Sequence, residues 1–186
     1  MTYARFARRL ARRLRRLVPD QRGVAAVEFA MLLPLMVTLY LGGVQLSQAV
    51  AIDRKMTLIS RTVADLVAQV TSVSSSDMTN ILAASSAIIA PYSSTKLKLT
   101  VSSVTIDSTG KATIAWSKTL NGTARTVGST VTLPTALDVA NTSLIWGESS
   151  YAYTPPVGYV ITGTMTLSDQ IYMAPRLSTS VACNAC

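Results

Sequence analysis

Few side chains in this sequence have a type and spacing that could do chemistry, and the first of them is an acid in apolar company. Glu28 stands four residues after Val24 within RGVAAVEFAMLLPLMVTLYLGGV, the stretch from Arg22 to Val44, and no charge occurs from Phe29 to Val44. Carrying a charge to a bilayer centre costs about 2.5–3.5 kcal/mol on the milder insertion scales, so an acid in such a segment is a functional candidate by default. The other reactive pair is Cys183 and Cys186, a C-x-x-C at the far end. Such a motif can do redox work, supply half of a zinc site or close a disulfide. With no histidine and no second cysteine pair, a four-ligand zinc site could be completed only with carboxylates. Thioredoxin-like motifs open a helix after a strand, which this one does not. A disulfide is the expectation, and a bond to another subunit stays open.

Catalysis finds little support. Without histidine there is no Ser-His or Cys-His arrangement and no imidazole metal site. Asp53, Asp65, Asp77, Asp107, Asp138, Glu148 and Asp169 are scattered, and no Gly-rich phosphate loop occurs. These residues point to a chain that is not an enzyme, with no cofactor and no metal.

The elements that must position Glu28 can be inferred from composition. The chain has 186 residues, 49% hydrophobic and 14% charged, which fits one membrane segment attached to one small domain. Its net charge of +8 is concentrated at the start: Arg5, Arg8, Arg9, Arg12, Arg13, Arg15, Arg16 and Arg22 precede Val24, against one acid, Asp20. Because this run abuts an apolar span and lacks stacking aromatics beyond Tyr3 and Phe6, it reads as a topology signal rather than a nucleic-acid patch. Flanking arginines hold the amino end in the cytoplasm and place the chain beyond Ala51 outside. Leu10, Leu14 and Leu17 could also line a short basic amphipathic helix on anionic membrane lipid.

Two mature proteins are compatible with the apolar segment. As a Sec-type signal it ends in the A-x-A of Ala49, Val50 and Ala51, and cleavage after Ala51 would release a secreted or anchored extracytoplasmic binding domain. As a retained span it runs from Val24 to about Val50, more than the roughly 20 residues that cross a bilayer. Retention is favoured because Ile52, Met56, Ile59, Val63, Leu66 and Val70 continue a helical seam directly after the cut, spaced four, three, four, three and four. The seam would face its own domain, the commoner use of such a stripe, or sister helices. Beyond Ser72, Ser74, Ser75 and Ser76, Ser76 is an N-cap for a second helix from Asp77 to Ala90, ended by Pro91.

From Lys96 the period changes to two. Leu97, Leu99 and Val101 begin a hairpin that turns at Asp107–Gly110 into Ala112–Trp116; further strands are expected near Thr126–Leu133, Ser143–Tyr153, Thr164–Met173 and Leu177–Ala182, with a short helix at Thr135–Val139. The predicted class is α+β, a long amino-terminal helix and a second helix packed on a small antiparallel sheet. Its parts are a leader (1–23), a transmembrane helix (24–51), a helical part (52–94) and a sheet domain (95–186).

The string Arg22-Gly23-Val24-Ala25-Ala26-Val27-Glu28-Phe29-Ala30-Met31-Leu32-Leu33-Pro34 resembles the amino-terminal motif of TadE-like proteins, minor pseudopilins of the tight-adherence (Flp-type) pilus within the type IV pilin superfamily. Ile171-Tyr172-Met173-Ala174-Pro175-Arg176 is similar to that family's closing element, with Ala174 where Arg is expected. The resemblance implies a pilin-like fold and cleavage between Gly23 and Val24 by prepilin peptidase, leaving Glu28 as fifth residue of the mature chain. It assigns assembly to Glu28, Phe29 and Pro34. It also implies a single-pass inner-membrane protein with a periplasmic domain, partnered by other pilins and an inner-membrane assembly platform in building an adhesion pilus.

The motif makes physical sense by itself. Glycine before a scissile bond lets a protease bring its groups close to the backbone. The cut leaves an ammonium on Val24, and Glu28 lies about 6 Å further along a helix, roughly one turn. A neighbouring helix staggered by a turn could set its own ammonium against Glu28, fixing register, the best-attested use of a buried charge; the plainer alternative is an acid that snorkels to the interface. Pro34 removes one backbone donor and would kink the span, and Gly42 with Gly43 permits close helix approach.

Overall fold

A computed structural model describes residues 23–155 and 163–184. The basic leader up to Arg22 and Cys186 lie outside the described residues. Two compact units divide between Val44 and Gln45. Helix α1, Val24–Ala68, is continuous through Pro34. Its first part is apolar and bare: Met31, Leu39 and Tyr40 are exposed, and no residue of its most apolar window is buried. By length and composition this helix can cross a membrane.

From Gln45 onward α1 belongs to a packed α+β unit. Ile52, Met56, Ile59, Val63 and Val67 are fully buried in a core shared with the second helix and the sheet, each stabilising the fold by about 1.5–3 kcal/mol on full burial. The seam therefore faces its own domain, with one correction: Leu66 is 40% exposed and Val67 takes its place. A 3.5-residue spacing drifts off the buried side of a straight 3.6-residue helix, so the inward position moves one residue on. The predicted second helix is also displaced. Helix α2 is Ser75–Ser86, capped by Ser74 rather than Ser76, and Ala87–Ile89 continues as a 3-10 turn. Ser74 wins because Asp77 closes a capping box with it: Ser74 Oγ accepts from Asp77 N and the Asp77 carboxylate accepts from Ser74 N.

Four strands, β2 (Leu97–Ile106), β3 (Ala112–Leu120), β4 (Ser143–Tyr153) and β5 (Met165–Met173), form an antiparallel sheet in the order β3-β2-β4-β5. A separate pair joins β1, Ser72–Ser74, in parallel with β6, Ala182–Asn184. The last strand thus starts five residues later than expected; residues 176–180 bend instead. The strand expected near Thr126–Leu133 is absent, because Gly128 turns the chain at φ +80° and only an isolated bridge, Thr113 to Thr130, remains. The Thr135–Val139 helix is a single 3-10 turn, Thr135–Leu137.

The sheet is covered on both faces, but unequally. Leu97, Leu99 and Val101 face α1 and α2. On the other face Val104, Ile106, Ile114, Leu144 and Trp146 form a second core, packed by Val131, Leu133 and Leu137 of the long β3–β4 connection. Gly147 marks a close approach of α1 to the sheet: a Cβ there would lie 2.8 Å from Ser60 O and 3.1 Å from Ala64 Cβ. Only glycine lets the backbones meet so closely.

Candidate functional site

The sequence-predicted site residues cluster at the start of α1. Gly23, in a 3-10 turn, directly precedes the α-helical span that begins at Val24. A Cβ on Gly23 would meet nothing within 4 Å and its φ is not in the left-handed region, so neither space nor conformation in this fold requires glycine there. Glu28 is exposed one turn into α1 and makes no ion pair among the described residues. Phe29 is exposed beside it, and Pro34 lies inside the helix with its carbonyl accepting a 2.7 Å hydrogen bond from Thr38 Oγ1. That side-chain bond falls one turn beyond Ala30, whose carbonyl is the one that proline, lacking N–H, leaves without its helical donor. Gly43 is equally open, with nothing within 4 Å of a built Cβ. The arrangement presents a bare apolar rod with one carboxylate at its mouth, a surface that can bind lipid or other helices.

At the other end, the Pro-Arg element has a specific structural use. Arg176 donates through its backbone N–H to Ala68 O at 2.9 Å, and its guanidinium is paired with Asp65. The chain after β5 is thereby tied to the end of α1, whose final carbonyls lack helical donors. Trp116 Nε1 donates to Val181 O at 2.8 Å just before β6. Cys183 is half-buried at the centre of β6, in register with Val73.

Several residues that hold the unit from Gln45 onward gave no sequence signal. Ser149 Oγ donates to Met56 O at 3.0 Å and accepts from Ser60 Oγ at 2.7 Å, a buried polar link between α1 and β4. Tyr153 Oη donates to Gln48 Oε1 at 3.1 Å and lies 3.3 Å from Gln45 O. Burial pushes the Tyr153 phenol up from its ordinary value. Arg125 lies 3.8 Å over the Trp146 ring and is bidentate to Glu148, through Nη2 at 2.7 Å and Nε at 2.9 Å. The Glu148 hydrogen bonds raise the Arg125 pKa above its ordinary value. Each contact joins residues more than 20 apart in sequence, where no local pattern could flag it. Among the described residues, no group of three His, Cys, Asp or Glu side chains is placed to hold a metal ion.

Neither the curated proteins nor the solved structures contain a match to this chain. A family model does match, described as TadE-like protein, and it spans residues 23–65. The matched stretch begins at Gly23, includes Glu28 and Pro34, and ends at Asp65, the partner of Arg176. Over residues 23–65, then, the chain is similar to the TadE-like family.

Proposed function

We propose that this chain is a minor pseudopilin of a Tad (Flp-type) adhesion pilus, an assembly component rather than an enzyme. In this reading prepilin peptidase removes residues 1–23 at the cytoplasmic face of the bacterial inner membrane. The apolar part of α1 stays in the lipid, and the unit from Gln45 onward lies in the periplasm or on the filament. Its partners are other pilins and pseudopilins and the inner-membrane assembly platform. The observation that carries the proposal is the family match, which starts at Gly23 and takes in Glu28, exposed one turn into α1 and without an ion pair among the described residues.

Support also comes from how poorly a cut after Ala51 suits the fold. Ala49 and Gln45 are buried in the outer unit, and Gln48 holds the Tyr153 hydroxyl. Cleavage there would strip these contacts and open the helix beside Ile52, which is fully buried. The two routes separate by mass spectrometry of the mature chain extracted from membranes. An amino terminus at Val24 is expected; one at Ile52 would refute the proposal. Glu28→Ala should leave cleavage largely intact while reducing surface piliation severely, and normal piliation would remove the register-pairing role from Glu28. The proposal includes a Cys183–Cys186 disulfide, whose four-residue ring gains little loop entropy and locks the chain end locally. Thiol alkylation without reductant should label neither cysteine.

A further inference from the structure

The outer face of the four-stranded sheet changes character halfway along β4. Leu144 and Trp146 are buried beneath the β3–β4 connection, whereas Glu148 and Ser150, next on the same face, are half-exposed. The uncovered half has a floor of two cross-strand rows, Lys98–Ser150–Ser168 and Thr100–Glu148–Gln170. Gly122 and Thr123 of the connection line it as well, giving an open groove of about 640 Å³, within the range of small-ligand sites.

Three features give this groove a built character. Its boundary is fixed by Arg125, which clamps Glu148 and covers Trp146. Trp146 is also stacked with Tyr172, centroids 5.3 Å apart, and its Nε1 donates to Gln170 Oε1 at 3.3 Å, so Glu148 and Gln170 of the floor are already oriented. The lip is also held: Asn121, at φ 54°, donates through Nδ2 to Ser94 O at 3.1 Å and Leu97 O at 3.0 Å. The chemistry of the floor is narrow. It has no apolar side chain; of the two acids that line the groove Glu148 is paired with Arg125 and Asp169 accepts from the Gln170 backbone N–H, and Lys98 balances the remaining charge among hydroxyls and an amide. An apolar peptide would find nothing to bury against, and a highly charged ligand no net field to meet.

We infer that the uncovered half of the outer sheet face is a binding subsite for a neutral, hydroxyl-rich ligand, a saccharide chain lying across β2, β4 and β5. Glu148 supplies acceptor positions left over from Arg125, while Gln170, Ser150, Ser168 and Thr100 offer paired donors and acceptors suited to vicinal hydroxyls. Affinity in the millimolar range is expected of a shallow site without a stacking aromatic.

The test uses the full chain in lipid nanodiscs with maltotetraose, cellotetraose and chitotetraose as probes, read by saturation transfer from protein to sugar. Transfer to at least one sugar is expected at about 1–10 mM. Gln170→Ala should weaken it about fivefold to tenfold, and Ser168→Trp, which fills the groove from an exposed edge position, should abolish it while unfolding followed by far-ultraviolet circular dichroism is unchanged. Absence of transfer from all three sugars at about 10 mM overturns the inference, as does transfer undiminished in Ser168→Trp. Binding of hexalysine or hexaglutamate in place of the sugars, lost in Ser168→Trp, would assign the groove to a charged peptide and also overturn it.

Discussion

Lys55 Nζ donates to two backbone carbonyls at once, Ile88 O and Ala90 O, each at 2.8 Å. These close the end of the second helical segment, where carbonyls lack partners and a cation is favoured by the helix dipole. Lys55→Met keeps the apolar stem and deletes the charge, so it should cost about 1–2 kcal/mol, measured by urea unfolding of the outer unit. Trp116 and Trp146 both report on that unit. Arg125→Ala removes an ion pair whose side chains are 35% and 25% exposed, worth about 0–1 kcal/mol after solvent screening, and a cation–π contact of about 0.5–1 kcal/mol. The expected loss is about 1–2 kcal/mol, with faster hydrogen exchange confined to the β3–β4 connection and the strands beneath it. Glu28, by contrast, was legible at sight: a single charge among apolar residues is conspicuous in any sequence, whereas Arg125 and Lys55 look like ordinary surface cations until their partners are known.

Among the elements, α1 was the most readable and the β3–β4 connection the least. Hydrophobicity and the helical repeat are properties of neighbours along the chain, and they located α1 to within two residues of its end, with Val70 just beyond it. The strands of the four-stranded sheet were equally clear because alternation marks each one locally; β4 matches its expected span of Ser143–Tyr153. Thr126–Leu133 misled for the same reason. Its Thr and Val content is that of a strand, but Gly128 turns the backbone and the segment spends Val131 and Leu133 on covering the second core. Gly147 carries the sharpest element-scale prediction. Gly147→Ala forces α1 off β4 or strains both, and overpacking of this kind costs about 1–3 kcal/mol; unfolding in urea should show it, with little change in membrane retention. Met56→Ala, at a fully buried seam position, should cost about 2–5 kcal/mol.

At the scale of the whole molecule, two acids among the described residues contribute to the response to low pH. Asp77 is held below its ordinary 3.8 by hydrogen bonds from the Ser74 side chain and backbone, and Asp107 by the Thr109 hydroxyl and the backbone N–H groups of Lys111 and Thr109. A carboxyl whose folded pKa is depressed adds stability that is complete above its unfolded value and is lost as pH falls through the folded one. Stability of the outer unit should therefore hold from neutral pH down to about 4 and decline below it, and Asp77→Asn should flatten part of that decline; an unchanged acid limb would deny the capping box its electrostatic share. The candidate site divides along the same line between local and distant. Gly23, Val24 and Glu28 could be read because their relation is one of spacing, and the groove floor could not, because β2, β4 and β5 bring its residues together from three places in the chain.

The pairing of β1 with β6 has a further consequence, in time rather than in energy. Ser72 waits for Ala182, its parallel partner, and 110 residues (182 − 72) must be made before that ladder can begin. Contacts so remote in sequence form late, because loop closure must be achieved before they return anything. The helices and the β2–β3 hairpin can assemble early, but the junction between α1 and α2 stays unfastened until Ala182–Asn184 have been made. A chain interrupted shortly before Ala182 would thus have nearly all of the described elements and still lack the fastening beside α1.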